Sequence, residues 1–314
     1  MMQNKGISVV IPVFNAGHFL NDAVASVINQ TISQCYNLEI IIVDDCSDDS
    51  NTVSRLTEIA KSHLVNLIRL DKNRGPAYAR NTGVKAANYE LVAFLDADDV
   101  WTEDSIQNRL KAFDLYPDID CVTGLYLYWY KDTFKQGETH KLSLLSDSIL
   151  SNKKKIIQDC NTQFFELTPF SLGASIFRRE KYLSAGGLNE SLYIGEDWLF
   201  WLIFSVANKI LFMPEVVMHA RRQHTSLMSG EKMTSFAAIK ADLYALFLLQ
   251  GTTNKKRAWW RLLSNLNSLI DNCVEKKMYS KAMYYCLINV LTSFFSASSL
   301  KKSFIVFKHI MIAK

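Results

Sequence analysis

Glycine-rich phosphate loops are missing from this chain. After its first apolar run, where a dinucleotide-binding unit would carry G-x-G-x-x-G, stands Pro12-Val13-Phe14-Asn15, and no G-x-x-x-x-G-K-[ST] occurs anywhere. A bound diphosphate therefore needs something other than a backbone nest to neutralise it. Proline and glycine are scarce, 5 and 12 among 314 residues, which excludes a collagenous or low-complexity chain. The six cysteines (Cys35, Cys46, Cys121, Cys160, Cys273 and Cys286) never form C-x-x-C, so no zinc knuckle or thioredoxin-type site follows. Several lie in apolar runs, where cysteine behaves as a small hydrophobe, and the set reads as free thiols in a reducing compartment. A signal peptide is also lacking: Ile7–Val13 is short, contains Pro12 and has no small-residue cleavage site. The expectation is a cytoplasmic protein.

Apolar residues make up 49% of the chain, too many for disorder. The net charge of +4 is unevenly spread. Residues 231–314 hold 13 Lys/Arg and 4 Asp/Glu, a balance of +9, and the other 22 basic and 27 acidic residues give residues 1–230 a balance of −5. Two parts are expected: an acidic 1–230 domain and a basic 231–314 extension.

The first hundred residues alternate strands and helices. The continuous apolar run Ile7–Val13 reads as a strand buried on both faces, and Leu38–Val43, Val65–Leu70 and Leu91–Leu95 read as further strands. Between them lie helical patterns: Phe19 to Ile28, a helix capped by Ser50 or Asn51 and running to about Lys61, and one opening at Pro76 and running to Ala87. This order predicts an α/β fold, mostly parallel and flanked by helices. Further on, the pattern predicts a helix capped by Thr102, strands at Cys121–Tyr130, Leu172–Phe177 and Val216–Ala220, an irregular stretch over 131–165, and helices near 179–185 and 197–207. From about Lys232 the chain reads as all-helical, with Trp259, Leu262, Leu263, Leu266, Leu269, Ile270 and Cys273 on one apolar face.

Ligands of such sheets bind at the carboxyl ends of the strands. Asp96-Ala97-Asp98-Asp99 leaves the fourth strand there. Carboxylates this close repel unless a cation is shared, and Mg²⁺ or Mn²⁺ takes one or two carboxylates and completes its shell with substrate phosphates. A polar turn before the next helix is the plain alternative. Asp44 or Asp45 could accept the imide N–H of a base such as uracil, and Phe14 could stack on that base, unless the acids merely cap and Phe14 is core. Arg80 could reach a phosphate or buttress the aspartates, or lie on a solvated helix face. Glu196-Asp197 opens an apolar helix, where the dipole favours the charged form of a general base, or where the acids only complement the helix terminus. Arg221-Arg222-Gln-His224 could hold a leaving diphosphate, or His224 could ligate the metal.

Taken in order, SVVIPVFN (Ser8–Asn15), VDDCSDDS (Val43–Ser50), NRGPAYARNTG (Asn73–Gly83), FLDADD (Phe94–Asp99), GED (Gly195–Asp197) and RRQHTSLMS (Arg221–Ser229) resemble the family 2 glycosyltransferases of GT-A fold over about residues 5–230. The resemblance implies sugar transfer from a nucleotide-sugar, with UDP as its nucleotide, to an acceptor hydroxyl with inversion at the anomeric carbon. It implies Asp197 as catalytic base and Pro12, Phe14, Asp45, Gly75, Arg80, Asp96, Ala97 and Arg222 as the nucleotide-sugar-binding set. Asp98 and His224 would be the metal ligands for Mn²⁺ or Mg²⁺. The acceptor expected is a glycan or lipid-linked glycan of bacterial surface polysaccharide or lipopolysaccharide assembly. The sequence departs from the family pattern at Cys46, where a glycine is usual, and in the aromatic content of the helix after Asp197, which suggests packing on the C-terminal helices.

Two other classes fit less of the chain. Leu95–Val100 matches the D-x-D-x-[TV] of haloacid-dehalogenase-like phosphatases, but that motif belongs early in such chains. A catalytically silent sugar-nucleotide-binding or scaffold protein would be expected to have lost an acid, and both Asp98 and Asp197 are present. Nucleic acid is not an expected partner. The basic tail, with Trp259-Trp260 beside Lys255–Arg257, suits an anionic membrane surface on the inner face of the plasma membrane, or homo-oligomer contacts. Ala282–Leu300 carries no charge and could be buried, interfacial or spanning.

Overall fold

The computed structural model describes residues 5–130, 133–134, 155–157, 170–222, 231–249, 252–278, 281–282, 284–286 and 288. Residues Met1–Ser226 and Leu227–Lys314 form two compact units.

The first unit begins with the alternation read from the sequence. β1 (Gly6–Val13), β2 (Asn37–Asp44), β3 (Val65–Arg69) and β4 (Leu91–Phe94) are separated by α1 (Phe19–Ile28), α2 (Ser50–Ile59) and α3 (Pro76–Ala86). They pair in parallel in the order β3-β2-β1-β4. Val9, Val10, Ile11, Ile40, Ile41, Ile42, Val92 and Ala93 are fully buried, as expected of strands covered on both faces. Gly83 lets α3 lie against β1, since a Cβ there would collide with the Val10 side chain.

Beyond β4 the sheet changes direction. β5 (Val100–Trp101), α4 (Ser105–Leu115), β6 (Cys121–Tyr130), β7 (Thr133–Phe134), β8 (Lys155–Ile157), β9 (Ser175–Arg178), α5 (Arg179–Ser184), α6 (Glu196–Ala207) and β10 (Ile210–Arg222) complete the unit. β9 enters antiparallel between β4 and β6, β10 runs parallel to β6, and β5 closes the edge antiparallel to β10. The sheet is thus mixed: a parallel half followed by a half with antiparallel insertions.

Several local expectations change. The side chain of Asp49, not Ser50 or Asn51, caps α2 by accepting from the backbone N–H groups of Asn51 and Thr52. Thr102 does not cap α4, which begins at Ser105 after Asp104; the Thr102 hydroxyl instead donates to the Val216 carbonyl. Leu172–Ala174 is a 3₁₀ turn ahead of β9. Thr133–Phe134 and Lys155–Ile157 are strands within the stretch expected to be irregular. The last strand is longer than expected: β6 flanks it from Ile210 to Arg222, while β8 pairs with Ile210–Phe212 and β5 with Met218–His219. The aromatic side of α6 is explained inside this unit: Phe200, Trp201 and Phe204 pack on Phe177, with Phe94 and Tyr182 completing the cluster. Cys35, Cys46, Cys121, Cys273 and Cys286 are free thiols, and Cys160 lies outside the described residues.

The second unit pairs α7 (Glu231–Leu248) with α8 (Thr252–Glu275). Leu262, Leu263, Leu266, Leu269, Ile270 and Cys273 are buried as their spacing predicts, and Trp259 is half-buried. No helix among the described residues is long and apolar enough to cross a membrane, and most of Ala282–Leu300 lies outside them. A buried carboxyl here meets a partly exposed guanidinium. Asp242 is fully buried, accepts from Asn265 at 2.6 Å and lies 3.1 Å from the Arg261 guanidinium. Burial pushes its carboxyl from 3.8 up to about 6, against the pull of Arg261 and Asn265. The unfolded chain ionises this group first, so its contribution is fully present below about pH 4 and declines as pH rises to about 6. The expected loss is on the order of 3 kcal/mol. Hydrogen exchange of α7 and α8 amides should show the wild type losing protection relative to Asp242→Asn over that window, with a constant difference above it.

Candidate active site

Four loops leave the parallel strands at one edge, and their side chains bind each other. Asn15, with φ 51°, links the first two: its Oδ1 accepts from the N–H groups of Asp48 and Asp49, and its Nδ2 donates to Asp48. Asp44 accepts from Ser47 N–H at 2.9 Å and faces Arg69 at 3.3 Å. Asp45 is buried, and its two oxygens accept the backbone N–H groups of Arg74 and Gly75, each at 2.8 Å. Burial raises the Asp45 carboxyl above its ordinary value even so. A carboxylate has further lone pairs, so this fixed group can still accept from a base. Gly75 holds φ 88°, which a side chain would resist, and this turn brings its N–H onto Asp45. Pro12 lies at the end of β1. Phe14, just past that strand, is 49% exposed, so it is not core and its ring is available to stack. Cys46, at the usual glycine position, takes φ 65°, the left-handed conformation in which glycine would be unstrained.

Arg80 is the centre of the acidic part. It is 8% exposed; its Nη2 donates to Asp96 at 2.5 Å and its Nη1 to Glu196 at 3.4 Å. Burial opposes its charge, but Asp96, Glu196 and Asp197 outweigh that and raise its pKa above the ordinary value. Glu196 is also buried, and its carboxyl is held above the ordinary range by burial and by Asp197, with Arg80 opposing. Asp197 is half-buried in the first turn of α6, where one oxygen accepts from Trp198 N–H at 2.7 Å. Ala97 is buried between the two aspartates. Asp98 reaches solvent, yet the protein around it and the Asp96 charge hold its carboxyl above the ordinary range.

That upward push is what a shared cation would relieve, and two carboxylates are a hard donor set suited to Mg²⁺ or Mn²⁺. Among the described residues no group of three or more His, Cys, Asp or Glu side chains is arranged to hold a metal. His224 lies outside the described residues, as does the side chain of Arg222.

Three residues outside the expected set organise this edge. Asn81, next to Arg80, accepts from Tyr182 hydroxyl and Leu188 N–H and donates to Leu188 carbonyl and Glu190, which grips the segment leading to Glu196. Its signal was its place inside the Asn73–Gly83 motif. Arg221, not only Arg222, is tied to the acidic loop: its N–H donates to Asp99, its Nε to the Asp98 carbonyl and its Nη2 to Asp22, with its guanidinium 4.5 Å from the Phe19 ring centroid. Asn15 is the third, at the end of the first motif.

Residues 8–183 match the profile described as Glycosyl transferase family 2. Among curated relatives, the minor teichoic acid biosynthesis protein GgaA of Bacillus subtilis is 29% identical over 62% of this chain and 42% of its own. Glycosyltransferase GlyG of Streptococcus pneumoniae is 26% identical over 76% of this chain and 78% of its own. The chain spans about a third to two-fifths of the length of the first curated relatives it matches. Among solved structures, residues 1–349 of S. aureus TarS in complex with UDP-GlcNAc superpose with a TM-score of 0.65 at 16% identity, covering 98% of this chain and 92% of that one.

Asn81→Ala would strand the Tyr182 hydroxyl and both Leu188 backbone groups inside the protein. The expected loss is about 2–4 kcal/mol, read as a lower urea midpoint with unchanged slope.

Proposed function

Because this chain belongs to glycosyl transferase family 2, we propose that it moves a sugar from a UDP-sugar to a hydroxyl of a glycan or lipid-linked glycan, with inversion at the anomeric carbon. The observation that carries the proposal is the Arg80 guanidinium joining Asp96, on the nucleotide side, to Glu196, beside the proposed base. The role of GgaA in minor teichoic acid biosynthesis and the UDP-GlcNAc bound to TarS support a surface-glycan acceptor and a UDP donor. Assembly of this kind suits the cytoplasmic face of a membrane.

Each side chain then has a task. Phe14 stacks on the base, and Asp45, fixed by Arg74 and Gly75, accepts its imide N–H. Pro12, Gly75 and Ala97 shape the cradle, and Asp96, turned by Arg80, lies toward the ribose. A divalent cation bound through Asp98, with His224 as a second ligand, would neutralise charge developing on the leaving diphosphate. Arg222 closes on that diphosphate from the end of β10. Asp197 removes the proton of the acceptor hydroxyl as it attacks from the face opposite the leaving group. Glu196 and Asp96 hold Arg80 in place, which keeps this constellation rigid.

Asp197→Asn should abolish transfer while UDP binds with nearly unchanged affinity in a calorimetric titration. Wild-type turnover in that variant would end the base assignment. A panel of nucleotide sugars, assayed for donor hydrolysis with Mn²⁺ and with chelator, should show UDP-sugars preferred. Activity should be lost in chelator, and Asp98→Asn should match the chelated wild type.

A further inference from the structure

One end of the α7–α8 pair gathers side chains that neither helix needs for packing. The two helices meet where Asp242 of α7 contacts Arg261 and Asn265 of α8, and Ala241, Ala245, Leu249, Ala258, Leu262 and Leu266 are buried around that contact. On the outside of the last turns of α7, Phe247 is 84% exposed and Leu248 52%, with Leu243 exposed one turn earlier. At the same end, where α8 begins, Trp260 is 70% exposed and Lys255 and Lys256 are exposed beside it. Two aromatic rings and two leucines left in water near one helix junction mark a contact surface.

The charges around them choose the occupant. No acidic residue occurs between Asp242 and Asp271, while Lys255, Lys256, Arg257 and Arg261 fall in that interval. Asp242 itself is buried against Arg261, so it does not offset the exposed lysines. A second copy of the chain docking here through a two-fold axis would bring like charges together. A neutral apolar partner would leave the cations unanswered. Phenylalanine and leucine beside tryptophan and lysine are instead the set that enters the boundary between headgroups and acyl chains, with the cations held at anionic headgroups.

We propose that this end of the α7–α8 pair binds an anionic lipid bilayer, with Phe247, Leu248 and Trp260 inserted and Lys255 and Lys256 on the headgroups. The proposal rests on the helical unit alone and stands or falls apart from the glycosyl-transfer reading.

Co-sedimentation of the full chain tests it with two kinds of vesicle, phosphatidylglycerol–phosphatidylethanolamine and pure phosphatidylcholine. The wild type should bind the first and not the second, and salt should weaken binding. Phe247→Ser with Trp260→Ser should lower affinity about tenfold or more. Lys255→Gln with Lys256→Gln should lower it at low salt and flatten the salt dependence. Phe247→Leu keeps an apolar side chain and should retain binding, which separates lost insertion from lost folding; unchanged melting of the serine variant gives the same control. Absence of wild-type binding overturns the proposal, as does binding that the serine variant leaves unchanged. So does an oligomer, seen by sedimentation velocity, that the serine variant converts to monomer while vesicles bind neither form.

Discussion

A guanidinium enclosed at the edge of a sheet is tolerable only with carboxylates against it, since an unpaired buried charge costs several kcal/mol. Arg80 meets that condition by taking Asp96 from the end of β4 and Glu196 from the start of α6. These acids come from distant parts of the sequence. Their meeting point fixes where the nucleotide-side loop stands relative to the helix that carries Asp197. Asn81, the next residue of α3, fixes the approach to that helix through Leu188 and Glu190. Two adjacent residues on one helix thus set where Asp96 stands relative to the start of α6.

The sheet makes this meeting possible. In a purely parallel arrangement the strand beside β4 would present its amino end at the far edge and send its following helix elsewhere. β9 runs antiparallel to β4, with Ala93 opposite Ile176 and Leu91 opposite Arg178. The chain therefore enters α5 at the edge opposite the active loops and returns across α3 to reach Glu196. The aromatic cluster of Phe94, Phe177, Tyr182, Phe200 and Phe204 fills the space under that return path. Its burial holds α6 in place while the helix start stays polar.

Much of this was readable from residue patterns. β1, β2 and β4 declare themselves because strands buried on both faces must be continuously apolar, whereas β3, at the sheet edge, carries Asn66 and Arg69 and is only partly buried; the active loops follow from the rule that places ligands at the carboxyl ends. What could not be read depends on partners far away in sequence. Nothing local distinguishes Asp49 from Ser50 as a cap, since both have the chemistry and only the backbone angle decides. Nothing in Val100-Trp101 announces a strand, which exists because Met218 and His219 lie opposite it. Arg221 shows no local sign of its role; it locks the Asp98–Asp99 backbone only because the end of β10 lies beside that loop.

Cys46 shows how such an edge is maintained despite a poor local fit. A left-handed conformation costs a residue with a Cβ about 1 kcal/mol relative to glycine. The loop keeps it because its neighbours are held independently: Asp45 by two backbone amides, Ser47 through its N–H on Asp44 and its hydroxyl on Asn15 N–H, and Asp48 by the Asn15 side chain. With every flanking residue anchored, Cys46 has no freedom to relax without breaking several bonds. Precision at the acidic edge is therefore a property of the hydrogen-bonded set, and a single unfavourable residue within it leaves the carboxylates where the chemistry needs them.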